Sequence, residues 1–178
     1  MKLIAIGGEP ATGKSTLMRK LIADMGAPKP FKFLKVAGNY YENHAVWLIG
    51  LGYGLVAFPG TDRLSMAVQP DFENFLRWLV PKQGTILFEG DRLFLKKNFE
   101  LANELGLKPV FVFLLASKEV LKKRHQERKD TQKTVFLKGR ETKYRRLSND
   151  IPGGIFFKNE SPEDLENNLT HLKRLAFS

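Results

Sequence analysis

Near the start of the chain, Gly8-Glu9-Pro10-Ala11-Thr12-Gly13-Lys14-Ser15 fits the spacing G-x-x-x-x-G-K-[ST]. The apolar run Leu3-Ile4-Ala5-Ile6 precedes it, and Leu17, Leu21, Ile22 and Met25 follow at helical spacing, with Gly26 placed to end that helix. A strand, a glycine-rich turn and a helix in this order make a cradle for phosphate. The turn aims backbone N–H groups inward, and the helix N-terminus adds positive dipole beneath. In such a cradle Gly8, Glu9, Pro10, Ala11, Thr12, Gly13, Lys14, Ser15 and Thr16 would surround the polyphosphate of ATP. Lys14 would reach the β and γ phosphates, and the Ser15 hydroxyl would hold Mg²⁺. The alternative is an ordinary glycine turn matching by chance; the flanking strand and helix argue against it.

Other strand ends carry residues suited to the same chemistry. Thr85-Ile86-Leu87-Phe88 runs into Glu89-Gly90-Asp91-Arg92. Glu89 is a candidate magnesium ligand through water, and Asp91 and Arg92 are candidates to face an acceptor; both acids could instead be helix caps or ion-pair partners. Pro59-Gly60-Thr61-Asp62-Arg63-Leu64-Ser65 follows the apolar run Leu55–Phe58. There Asp62 could deprotonate an acceptor hydroxyl while Arg63 clamps an acceptor phosphate. The competing account makes Asp62 an N-cap and Arg63 a surface ion-pair partner. A basic helix beginning at Ser117 places Arg124 and Arg128 four residues apart on one face, as a lid over a transferring phosphoryl group requires. The polar stretch 130–134 would be its hinge, and Lys138, Arg140, Lys143, Arg145 and Arg146 extend the positive surface, unless that surface is simply solvated. Tyr40 and Tyr41, between Gly38-Asn39 and Glu42-Asn43, could stack on a base, although most aromatics belong to a core.

These residues need a scaffold that gathers strand ends. Strand candidates are Leu3–Ile6, Phe33–Ala37, Val46–Ile49 with Leu55–Phe58, Thr85–Phe88, Pro109–Leu115 and Ile155–Phe157. Helices intervene: Pro70 opens one carrying Phe72, Phe75, Leu76, Leu79 and Val80, and Phe94, Leu101, Ala102 and Leu105 mark another closed by Gly106. A last helix starts with Ser161 as N-cap and Pro162 at N1. Alternating strand and helix predict an α/β fold, a mostly parallel sheet with helices on both faces. Gly50-Leu51-Gly52-Tyr53-Gly54 between two apolar runs predicts a small β-hairpin insertion at about residues 32–58.

The length, 178 residues, suits one domain. Lys and Arg number 29 against 19 Asp and Glu, a net charge of +10, and residues 117–146 alone hold 12 basic and 4 acidic side chains. That concentration exceeds what one nucleotide requires and points to a polynucleotide as a partner. There is no cysteine, so disulfides and thiolate zinc sites are excluded, and His44, His125 and His171 have no metal-ligand spacing. With no long apolar run and no secretory pattern, the expectation is a cytoplasmic protein that avoids membranes; the oligomeric state is not readable.

Together, Gly8–Ser15, the Glu89–Arg92 strand end and the Arg124/Arg128 pair resemble the P-loop kinases of nucleosides, nucleotides and small hydroxyl acceptors. The resemblance implies phosphate and Mg²⁺ binding by Lys14 and Ser15, transition-state stabilisation by Arg124 and Arg128, and adenine contact near Asn159-Glu160-Ser161. Asp91-Arg92-Leu93 is similar to the Asp-Arg-Tyr/Ser motif of thymidylate and deoxynucleoside kinases but differs at its third residue. The compact length, the basic segment and Gly-Thr-Asp-Arg-Leu-Ser are also similar to small phage kinases that phosphorylate hydroxymethylpyrimidine in DNA. The resemblance therefore implies a kinase whose acceptor is such a base, with a nucleoside or nucleotide kinase as one alternative and a non-transferring ATPase or nucleic-acid-binding module as another.

Overall fold

The computed structural model describes residues 1–53, 59–127 and 134–177. Seven strands form one sheet: β1 (Lys2–Gly7), β2 (Lys29–Phe33), β3 (Val36–Tyr41), β4 (Val46–Ile49), β5 (Thr85–Glu89), β6 (Lys108–Leu115) and β7 (Ile155–Lys158). Their spatial order is β2-β3-β4-β5-β1-β6-β7. From β4 to β7 every neighbouring pair is parallel, and only β2/β3 and β3/β4 are antiparallel. The helices are α1 (Lys14–Ala23), α2 (Gln69–Leu79), α3 (Lys96–Glu104), α4 (Lys118–Glu127), α5 (Thr134–Asp150) and α6 (Pro162–Phe177).

Alternation along the central strands sorts the core into two layers. Ile4 and Ile6 of β1, with Leu87 and Val112, pack against Leu17, Met18 and Leu21 of α1 and Leu169 and Leu172 of α6. Leu3 and Ala5, with Ile86, Phe88, Phe111 and Phe113, face Phe72, Phe75, Leu76 and Leu79 of α2, Phe99 of α3 and Tyr144 of α5. The result is the expected α/β arrangement of a mostly parallel sheet between two helical layers. The last helix is capped as its sequence predicts: Asp164 N donates to Ser161 Oγ at 3.0 Å, and Asp164 Oδ2 accepts from Ser161 N. Phe94 precedes α3 instead of opening it, because its ring fills the space beside Gly7 and packs on Phe111 and Phe113.

The antiparallel portion differs from expectation. Leu34 adopts a left-handed conformation (φ 54°), so the apolar stretch at 33–37 breaks into the ends of β2 and β3 around a two-residue turn. The hairpin therefore lies earlier than residues 50–53, where, among the described residues, Leu51 makes an isolated bridge to Gly60. Leu55–Phe58, expected as the second hairpin strand, falls outside the described residues. Phe31, Phe33, Trp47 and Trp78 gather on Phe75 and dock this portion onto α2. Among the described residues no helix is long and apolar enough to cross a membrane.

Candidate functional site

Residues 8–13 turn the chain from β1 into α1 through two left-handed positions, Ala11 (φ 66°) and Gly13 (φ 96°). Such conformations turn successive amides toward one point and form an anion nest. Gly13 is required twice over: its φ is strained for any side chain, and a Cβ there would lie 2.3 Å from Asn159 Nδ2. The turn is braced by Thr12 Oγ1 donating to the Glu9 carbonyl at 2.8 Å and by Asn159 Nδ2 donating to the Thr12 carbonyl at 2.7 Å. Lys14 folds back over it, its Nζ 2.6 Å from the Gly8 carbonyl oxygen and 3.0 Å from that of Glu9.

Beside the turn, Ser15 Oγ donates to Glu89 Oε1 at 3.0 Å. Glu89 ends β5 and is 2 % exposed. Burial pushes its carboxyl up to about 7; Asp62 and Asp91 add to the rise, and Lys14 and the Ser15 hydroxyl oppose it. Gly60 allows the neighbouring segment to approach, since a Cβ there would sit 2.7 Å from the Glu89 carbonyl oxygen and 3.1 Å from Oε1. A desolvated carboxyl beside a hydroxyl is a hard oxygen donor set whose ionised form a divalent cation would stabilise, so these residues fit Mg²⁺. Among the described residues no group of three or more His, Asp or Glu could hold a metal unaided, and Ser15 with Glu89 would share the ion with phosphate oxygens.

Asp62 lies in a 3-10 turn (Thr61–Arg63) and is exposed. Its Oδ1 accepts from the amides of Asp91 (3.1 Å) and Arg92 (3.2 Å), so it caps the turn after β5 rather than a helix of its own. Asp91 has different company: Tyr144 Oη donates to its Oδ1, Arg140 lies 2.9 Å from its Oδ2, and Lys143 Nζ lies 3.6 Å from Oδ1 and donates to its carbonyl at 2.8 Å. Arg92 donates to the Leu64 carbonyl, and Arg63 is exposed.

On the other side of the phosphate turn, Arg124 donates to the Ala11 carbonyl at 3.2 Å. With Gly13, Thr16, Asn159, Ser161 and Leu165 it lines a cleft of about 330 Å³, large enough for a nucleobase. Arg128 and most of the expected hinge lie outside the described residues.

The structure thus brings Lys14, Ser15, Glu89, Asp62 and Asp91 together at the ends of the parallel strands, with Arg124 above the turn. It does not bring Tyr40 and Tyr41 there. They end β3 opposite Trp47 and Val46, the first residues of β4, at the far end of the sheet. Tyr41 is 2 % exposed within the core, and Tyr40 packs on Trp47 with ring centroids 4.4 Å apart. Arg140 and Lys143, expected on an open basic surface, turn inward to Asp91, whereas Lys138, Arg145 and Arg146 are exposed. Tyr144 carried no sequence signal, and Tyr53 stood only among the aromatics near the expected hairpin. Tyr53 Oη is buried against the Glu89 main chain and Gly60 without completing a hydrogen bond.

No protein-family model and no curated protein matches the chain. Solved structures do. The YorR protein of Bacillus subtilis, in complex with phosphorylated GDP, superposes with a TM-score of 0.58 at 15% identity, covering 98% of this chain and 96% of that one. A shikimate kinase from Bacteroides thetaiotaomicron gives 0.51 at 16% identity over 98% and 97%, and a gluconokinase from Sinorhizobium meliloti gives 0.50 at 14% over 98% and 93%. The α/β fold with its mostly parallel sheet is one that this chain shares with these two kinases. At such identities the likeness is one of architecture.

Proposed function

We propose that this protein is an ATP-dependent kinase that transfers the γ-phosphoryl group to a hydroxyl, and that residues 1–178 act as one catalytic domain in the cytoplasm. The observation that carries the reading is the meeting of Lys14, Ser15 and buried Glu89 at a glycine-rich nest, with two further acids alongside. In this reading the nest amides and Lys14 hold the polyphosphate, and Arg124 closes the base cleft. Mg²⁺, held by Ser15 and Glu89, would neutralise charge on the phosphate oxygens. The acceptor hydroxyl oxygen bonds to the γ-phosphorus as the bond from that phosphorus to the β,γ-bridging oxygen breaks, and ADP leaves with the electron pair. The hydroxyl proton passes to a carboxylate. Asp62 suits this role better than Asp91, because its Oδ1 alone is engaged by the two amides, whereas Asp91 is committed to three donors of α5.

The preferred acceptor is a hydroxymethylated pyrimidine in DNA, supported by the exposed Lys138, Arg145 and Arg146 on α5 and by the concentration of positive charge at 117–146. A nucleotide kinase is the second reading, favoured by the likeness to the YorR protein, whose structure holds phosphorylated GDP. Incubation with γ-labelled ATP and a panel of nucleosides, nucleotides, plain DNA and hydroxymethylated DNA tests both. Label on hydroxymethylated DNA alone supports the first reading, and label on a free nucleotide the second. Label released only as inorganic phosphate removes the kinase.

A further inference from the structure

Asp91 holds two cations and a hydroxyl at one acid. Arg140, Lys143 and Tyr144 all come from a single helix and all converge on it. The two cations are partly shielded from water, with side chains 29% and 22% exposed, and the Asp91 carboxylate is 15% exposed. Desolvation lowers the pKa of Lys143, and Asp91 opposes that change. The cluster sits between the turn that Asp62 caps and the beginning of the phosphate nest: Asp91 N reaches Asp62, and Tyr144 packs near Gly8. The pair of cations is thus joined to Asp62 through Asp91, whose amide bonds that acid and whose side chain bonds the cations.

We propose that Arg140 and Lys143 form the receptor for a phosphate ester carried by the acceptor, and that Asp91 occupies that receptor until the acceptor displaces it. The inference rests on the kinase reading for its setting and deepens it by fixing the acceptor's chemistry: a hydroxyl compound bearing a phosphate, as a nucleotide or a DNA strand does, rather than a neutral sugar. A guanidinium and an ammonium held side by side bind phosphate oxygens as readily as carboxylate oxygens; a nucleotide's phosphate monoester carries more charge than the single carboxylate it would displace, and a DNA strand offers several singly charged phosphates in a row.

The experiment measures binding in the absence of turnover. The phosphate nest is first filled with adenosine imidotriphosphate and magnesium, and the heat of that step tests the donor site on its own. Deoxycytidine monophosphate, a short single-stranded oligonucleotide and deoxycytidine are then titrated by calorimetry into wild type and variants. One or both phosphate-bearing probes are expected to bind at least about tenfold more tightly than deoxycytidine, and Arg140→Gln and Lys143→Gln are each expected to weaken that binding about fivefold or more. Asp91→Asn, which removes the resident competitor, is expected to tighten it. Binding of the monophosphate alone identifies a free nucleotide as the source of the phosphate, and binding of the oligonucleotide alone identifies the DNA backbone. Arg140→Lys keeps the charge and the anchorage of α5 and should retain part of the affinity, which separates loss of the receptor from loss of the fold. Equal affinity for all three probes, unchanged affinity in both cation variants, weaker binding in Asp91→Asn, or no binding of either phosphate probe overturns the proposal. Label transfer from ATP to a neutral acceptor would leave the kinase reading standing while removing this one.

Discussion

At the residue scale, Lys14 Nζ rests on the carbonyls of Gly8 and Glu9, where it contributes positive charge to the nest and nothing to the hydrophobic core. Lys14→Ala should therefore lower phosphoryl transfer about a hundredfold or more and leave the melting temperature within a few degrees, checked by label transfer and thermal denaturation. Glu89 makes a prediction with a definite sign. Its carboxyl is raised from the usual 4.5 to about 7, so the folded chain holds this proton more tightly than the unfolded chain. The stabilisation is fully present below about 4.5 and is lost as pH rises to about 7, by up to about 3 kcal/mol. Denaturant unfolding between those pH values, without magnesium, should show wild type losing stability relative to Glu89→Gln. A pH-independent difference would mean that the two states bind this proton alike. The nest was legible in the sequence because its requirements are local and contiguous. The clamp on Asp91 was not, because its partners lie about fifty residues away and an isolated Arg, Lys or Tyr in a basic helix reads the same whether it faces water or an acid.

At the scale of elements, the antiparallel portion depends on α2 for its anchorage. Phe75 is fully buried and touches Phe31, Phe33, Trp47 and Trp78. Phe75→Ala should cost about 3–5 kcal/mol in urea unfolding, with the heat of ATP binding unchanged where the variant is folded. The parallel strands and α6 could be read ahead of the structure because continuous apolar runs and a serine N-cap followed by proline are strong signals. The register of β2 and β3 could not, since the turn hinges on Leu34, a residue that seldom adopts φ 54° and gave no hint of it. Glycine runs were the misleading signal: Gly50 and Tyr53 mark a close passage past Gly60, and the hairpin formed elsewhere. Tyr40 and Tyr41 misled for a related reason, because polar neighbours in sequence do not reveal which end of a sheet a strand finishes on.

For the whole molecule, charge is the property that separates the two acceptor readings. Lys138, Arg145 and Arg146 are exposed, so replacing all three by Ala should change stability by no more than about 0.5 kcal/mol per site. If they meet a DNA backbone, the slope of log affinity against log salt should flatten by about 0.9 for each duplex phosphate that the variant no longer neutralises. An unchanged slope identifies them as a solvated face. The bond from Asn159 to Thr12 also acts at this scale, because it fastens the segment after β7, one wall of the base cleft, to the turn that carries the phosphate amides. Adenosine and pyrophosphate should therefore report on each other: either one, bound alone, slows hydrogen exchange at the other's seat and improves the other's affinity by an equal factor, and Asn159→Ala uncouples them.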